Sequence, residues 1–223
     1  AKYKSLNKTK LLLGEQYTLL RPAFYKNAGK GKVRDQVKVI TICFGGADPK
    51  NFASKYLEAL NHMDRRFKVN IILGASNPNP NGEYEKFNQN LIEVMIYRNI
   101  LDEKMASLLL ASDLLVATPS GIMMEACTLN IPSITQVVAK NQDPFFEFLD
   151  QHKLATCIPE YSEKSTRSLA ELLNTTIFDK AYRKKMVGNQ KKIFDGQSKL
   201  RLRNEFETLA KNCSIKKENK RLI

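Results

Sequence analysis

Apolar residues fall along this chain in short blocks separated by glycine, proline, asparagine and charge. Six blocks are compact and rich in β-branched residues: Val39–Phe44, Phe67–Leu73, Ile92–Tyr97, Asp113–Ala117, Ile131–Val138 and Leu154–Ile158. Runs of this length bounded by turn residues predict buried strands. Between them the apolar positions recur at helical spacing. Phe52, Tyr56, Leu57 and Leu60 share one helical face, and Met105, Leu108 and Leu109 share another. Further helices are predicted from Ser120 through Leu129, over Pro144–Gln151, near 83–91, and at roughly 162–175, 179–194 and 197–211. Leu11–Leu20 reads as an extended segment broken by Gly14, and the Lys- and Gly-rich residues 26–36 as a linker.

Strands alternating with helices predict a parallel sheet covered on both faces. The expected architecture is a Rossmann-like α/β fold of about six strands in the order 3-2-1-4-5-6. In such a sheet, ligands bind at the carboxyl ends of the strands, where the strand order reverses. That rule selects two loops. The first is Phe44-Gly-Gly-Ala-Asp-Pro-Lys-Asn51, where Gly45 and Gly46 allow a sharp turn and Asp48 is expected to cap a helix with Pro49 at its first position. The second is Thr118-Pro-Ser-Gly-Ile-Met-Met-Glu125, where Ser120 and Gly121 open a helix. Two helix amino termini on one crevice suit a diphosphate, since their N–H groups and dipoles favour negative charge. The same turns are also ordinary β–α connections. Glu125, one turn into its helix, can accept two hydrogen bonds from a ribose diol, or can simply complement the helix dipole.

Charge and cysteine content narrow the picture. The chain has 223 residues and a formal net charge of +13. Residues 1–38 carry +8 and residues 183–223 carry +9, whereas residues 39–182 carry −4. A mildly acidic core between two basic flanks makes nucleic acid an unexpected partner, and the flanks read first as solvated faces. Two alternatives remain: a non-enzymatic module binding RNA or an anionic surface through the flanks, and a partner-docking role for Arg183–Arg203, for which truncation near residue 182 would lose the complex with the fold intact. No apolar run is long enough to span a bilayer and no signal-peptide pattern opens the chain. Cys43, Cys127, Cys157 and Cys213 are widely spaced, mostly in apolar contexts, and read as reduced thiols of a cytoplasmic protein. With only His62 and His152 beside them, no metal site is expected.

Several motifs recur in order: GEQYTLLRPAF at 14–24, FGGADPKN at 44–51, EKMASL at 103–108 with ASDLL at 111–115, SGIMMEACTLNIP at 120–132, KNQ at 140–142, and Asp195-Gly196. Together they resemble the carboxyl-terminal half of the bacterial UDP-sugar hydrolases of pseudaminic acid biosynthesis. That family is itself similar to the donor-binding domain of the peptidoglycan lipid-intermediate GlcNAc transferases, which have the GT-B architecture. The resemblance covers about residues 11–210. It implies that residues 1–36 come from the junction with a preceding Rossmann-like domain, that 37–211 form a nucleotide-sugar-binding domain, and that 212–223 are a basic tail.

It further implies that UDP binds as part of the substrate, with no separate cofactor. By position, Gly45, Gly46 and the Asp48–Asn51 helix start would meet the diphosphate. Ser120, Gly121 and Met124 would line the nucleotide pocket, and Glu125 would hold the ribose. Asn141 and Gln142 would approach the sugar or phosphate, as would Arg21. The chain departs from the family at Pro119 and Ser120, where glycines or small residues are usual, and it contains no counterpart of the histidine motif in the family's amino-terminal domain. His62 and His152 read as surface or helix-capping residues, so no catalytic residue is assigned. The implied activity is UDP-sugar hydrolysis, with a GT-B UDP-sugar glycosyltransferase as the alternative.

Overall fold

The computed structural model describes residues 9–88, 91–158 and 166–219. The lysine-rich residues 1–8, the ends of the helices expected near 83–91 and 162–175, and the last four residues of the tail therefore lie outside the described residues. Six strands form one parallel sheet: β1 (Val39–Cys43), β2 (Phe67–Leu73), β3 (Ile92–Arg98), β4 (Leu114–Ala117), β5 (Ser133–Gln136) and β6 (Thr156–Ile158). Their order is β3-β2-β1-β4-β5-β6, as the alternation of strands and helices predicts. The order reverses between β1 and β4, which pair from Ile40 with Leu114 to Cys43 with Ala117.

Nine α-helices accompany the strands among the described residues. They are α1 (Pro22–Lys26), α2 (Phe52–Asn61), α3 (Gly82–Glu85), α4 (Asp102–Ala111), α5 (Gly121–Leu129), α6 (Asp143–Gln151), α7 (Thr166–Phe178), α8 (Lys180–Ile193) and α9 (Ser198–Asn219). Because side chains alternate along a strand, the sheet divides the apolar residues into two cores. Ile40, Ile42, Val116 and Ile134 pack with Phe52, Tyr56 and Leu57 of α2 and Leu169 and Leu173 of α7. Cys43, Leu115 and Ala117 pack on the other face with Phe24 of α1, Leu109 of α4, Met123 and Cys127 of α5, and Leu149 of α6.

The residues before β1 are tied to this body. Gly29 and Gly31 donate N–H groups to the carbonyls of Thr128 and Leu129 at the end of α5, at 2.8 and 2.7 Å. The buried Asp113 accepts from the backbone N–H groups of Lys38 and Val39 and from the Arg34 guanidinium. The two basic flanks meet: Arg201 of α9 donates to the Gln16 carbonyl, Arg183 of α8 donates to the carbonyls of Arg34 and Asp35, and Lys10 pairs with Glu205. The α8 segment is built into the fold. Its Arg183, Met186, Val187 and Gln190 are buried, and the Gln190 amide donates to the carbonyls of Ile131 and Leu154, just ahead of β5 and β6. A chain cut near residue 182 would lose these contacts, which corrects the expectation of a detachable docking segment.

Candidate functional site

The carboxyl edge of β1 carries the glycine loop. Gly45 has φ +81°, in the left-handed region, and an added Cβ there would meet nothing within 4 Å. The space on the Cα side of Gly45 is therefore open. Gly46 lies against the loop that follows β2: a Cβ on Gly74 would sit 2.5 Å from the Gly46 Cα. Two loops therefore touch backbone to backbone at the sheet edge. The β2 loop is also fastened by asparagines. Asn77 Nδ2 donates to the Ala47 carbonyl at 3.1 Å, and Asn79 Nδ2 lies 3.2 Å from the hydroxyl of the buried Tyr84 and 3.4 Å from Asn51 Oδ1. In the sequence this asparagine-rich stretch reads only as a turn. The repeated Asn beside two prolines was the available signal.

Asp48 and Asn51 serve the loop itself. Helix α2 begins at Phe52, not near Pro49, because Asp48 (φ +42°) and Asn51 (φ +50°) both adopt left-handed backbone. The Asp48 carboxylate reaches forward and accepts from the N–H groups of Phe52 and Ala53 at 2.8 and 2.9 Å. The expected cap is present, made from four residues back, and the first two donors of α2 are thereby occupied by a carboxylate that is only 3% exposed. The N–H groups that the sequence reading offers to a diphosphate at the α2 terminus are thus already bonded within the chain. Asn51 Oδ1 is likewise engaged, accepting from the Ser54 hydroxyl at 2.9 Å.

Burial pushes the Asp48 carboxyl above its ordinary value, against the opposing pull of the two N–H groups. The native state then holds this proton more readily than the unfolded chain. Stability is thus lost as pH rises from about 4 through the raised value. Asp48→Asn retains a capping oxygen but cannot titrate. Denaturant unfolding at a series of pH values is expected to show the variant gaining on the parent as pH rises through that window, with a constant difference above it.

The second loop differs. Ser120 precedes α5 with extended backbone, and its side chain makes no capping bond to the helix. Gly121 is exposed, and a Cβ added there would meet nothing within 4 Å. This helix start is left open, one strand away from Gly45. Pro119 is buried and Thr118 is held by Gln142, whose Oε1 accepts from the Thr118 hydroxyl at 2.7 Å and from Val138 N–H at 2.8 Å. Gln142 thus sits beside the loop and braces it. Asn141, in the turn Lys140–Gln142, is exposed, and Met124 is half-buried against the α5 core.

Glu125 is 6% exposed and bound by Arg21, Nε to Oε1 and Nη2 to Oε2, each at 2.7 Å. The guanidinium also lies 4.9 Å from the centre of the Phe24 ring. Arg21, placed by the sequence on the sugar or phosphate, is here the partner of the proposed ribose ligand. Behind the pair is Cys43 at the end of β1, whose buried thiol is pushed up by desolvation. The structure therefore gathers Gly45, Gly46, Ser120, Gly121, Glu125, Arg21 and Gln142 around the β1–β4 junction and turns Asp48 and Asn51 to internal duty. His62 and His152 follow the ends of α2 and α6, with His152 Nδ1 3.0 Å from the Phe148 carbonyl oxygen. A cavity of about 660 Å³ lined by Lys38, Arg65, Arg66 and Lys68 lies at the opposite, amino-terminal edge of the strands.

No family model matches this chain. An uncharacterized protein of Methanocaldococcus jannaschii is 37% identical over 141 residues, which cover 57% of this chain and 27% of that protein. Among solved structures, MurG of Acinetobacter baumannii superimposes with a TM-score of 0.60 at 14% identity, over 86% of this chain and 55% of its own. CalG4, the calicheamicin glycosyltransferase, gives 0.59 at 17% identity over 81% and 44%. Sucrose-phosphate synthase of Thermosynechococcus elongatus gives 0.55 at 15% identity over 78% and 46%. The chain thus spans about half the length of these structures and about a quarter of the curated relative. No helix among the described residues is long and apolar enough to cross a membrane. The likeness is one of fold: the six-stranded, Rossmann-like α/β sheet matches one half of a GT-B glycosyltransferase.

Proposed function

We propose that this chain is the UDP-sugar-binding half of a nucleotide-sugar-processing enzyme. The observation that carries this reading is the open amino terminus of α5, beside the free space over the Gly45 Cα at the point where strand order reverses. A diphosphate seated there would face N–H groups and the positive end of a helix dipole, with Glu125 one turn away for the ribose. When the bond from sugar to diphosphate breaks, those fixed donors meet the charge that develops on the departing UDP, and they need no reorganisation to do so. The α2 terminus contributes shape alone, because Asp48 has taken its donors.

The finer reading is a hydrolase of pseudaminic-type acid biosynthesis, a cytoplasmic enzyme in which water attacks the UDP-sugar. It rests on the motif series from GEQYTLLRPAF to Asp195-Gly196. A preceding Rossmann-like domain would close over the sugar and supply the base. The second reading, a glycosyltransferase, is favoured by the fold likeness to MurG and CalG4. Both use the same half-site and differ in what attacks the sugar. Full-length native protein incubated with UDP-sugars and water alone decides between them. Release of free sugar with UDP is the hydrolase outcome. Turnover only after addition of an acceptor is the transferase outcome.

A further inference from the structure

The pairing of Arg21 with Glu125 changes what each residue can do. Arg21 uses two different nitrogens on the two carboxylate oxygens, at 2.7 Å each, the fork geometry that fixes both the position and the plane of a carboxylate. The guanidinium rests on Phe24, which is itself fully buried, so the arginine is held from behind as well as in front. Its own carbonyl accepts from Phe24 N–H at 3.1 Å, anchoring the backbone where α1 begins. The Arg21 side chain is 42% exposed and the Glu125 side chain 8%. If Arg21 swung out to a phosphate, a buried carboxylate would be left without its cation, an unfavourable state that the phosphate contact would have to outweigh. Staying in place costs nothing of the kind, because each carboxylate oxygen keeps a second lone pair. Two free lone pairs on a fixed carboxylate are what a vicinal diol with two O–H donors requires.

We propose that Arg21 is a positioning residue, which orients Glu125 for the ribose diol and remains on it when the nucleotide is bound. This rests on the donor-site reading above and makes the nucleoside, not the diphosphate, the part of the ligand that Arg21 controls. It also couples the segment ahead of α1 to nucleotide affinity, since Arg21 and Glu125 are separated by 104 positions in the chain.

The test is calorimetric titration of the protein with UDP and with uridine, for the parent, Arg21→Ala, Arg21→Lys, Glu125→Ala and the Arg21→Ala/Glu125→Ala double variant. The side-chain Nε–H signal of Arg21 is followed by NMR in the parent as UDP is added. The expected result is that Arg21→Ala weakens uridine and UDP by the same factor, about tenfold, within the range of coupling between contacting residues. The double variant is then no weaker than Glu125→Ala, Arg21→Lys recovers part of the loss, and the Nε–H signal stays in place at saturation. If Arg21→Ala weakens UDP but not uridine, the double variant is weaker than Glu125→Ala, and the Nε–H signal moves with UDP, then Arg21 is a phosphate ligand and the inference is overturned while the donor site stands. If the parent binds neither ligand, the donor site itself is wrong and the inference falls with it. Should Arg21→Ala not fold, Arg21→Lys and the NMR titration of the parent decide the question.

Discussion

Arg183→Ala is expected to lower the unfolding free energy by about 3–5 kcal/mol, the scale on which a buried charged group and its bonded partners are lost together. Arg183 is 1% exposed, and its four hydrogen bonds among the described residues all go to backbone carbonyls. Its Nη1 donates to the carbonyls of Thr176 and Ile177 at 2.9 and 2.7 Å, and its Nη2 to those of Arg34 and Asp35, both at 3.0 Å. Thr176 and Ile177 belong to the last turn of α7, where unpaired carbonyls and the dipole present negative charge. One guanidinium therefore closes the end of α7 and fastens the strand-leading segment at 34–35 to it. Desolvation pulls its proton affinity down from the ordinary arginine value, against the opposing attraction of Asp113 and Asp179. Alanine would strand four carbonyls and open a cavity. Urea unfolding of the two proteins measures the difference. A loss below about 1 kcal/mol, the scale of a single net hydrogen bond, would mean that the bonds are not made in solution.

Ser120→Asp is expected to move stability and binding in opposite directions. The α5 terminus lacks a side-chain cap, so an aspartate at this position can accept from the second or third helical N–H and add about 0.5–1 kcal/mol of stability. The same carboxylate would occupy the donors proposed for the diphosphate, as the Asp48 carboxylate occupies those of α2, and would repel the anion. UDP affinity should fall by roughly 100-fold, about 2.7 kcal/mol. Thermal unfolding and titration on one preparation read both effects. A variant that is more stable and binds UDP as the parent does would place the anion elsewhere.

The sheet was legible in the sequence because its signals are local. Val39–Phe44 and Phe67–Leu73 are short apolar runs with turn residues at both ends, and helical spacing fills the gaps between such runs. Parallel alternation leaves few strand orders to choose from. The start of α2 was misplaced for a specific reason. Asp48 followed by Pro49 has the spacing of an N-cap and first helical residue, but two left-handed residues extend the turn, and Asp48 caps from outside it. The strand ends at 131–138 and 154–158 were overextended, since apolar residues continue past the hydrogen-bonded ladder of β5 and β6.

The candidate site is legible in the sequence only in part. Gly45, Ser120, Gly121 and Glu125 stand out because glycine turns and helix starts have sequence signatures. The Arg21–Glu125 pair does not, because 104 residues separate its members and no periodicity links them. Arg183 was hidden by its neighbours: within a run of lysines and arginines it reads as one more solvated charge, and its carbonyl partners leave no trace in the sequence. The asparagine loop at 77–81 was visible as composition, but its attachment to the glycine loop depends on the approach of Gly74 to Gly46.

The most direct measurement is calorimetric titration of this protein with UDP beside ADP, repeated on Glu125→Ala. The account predicts saturable binding of UDP, weaker binding of ADP, and a UDP affinity reduced by the substitution. Absence of UDP binding, together with unselective binding of any polyanion that collapses as salt is raised, would contradict it and leave the merged basic flanks as the functional surface.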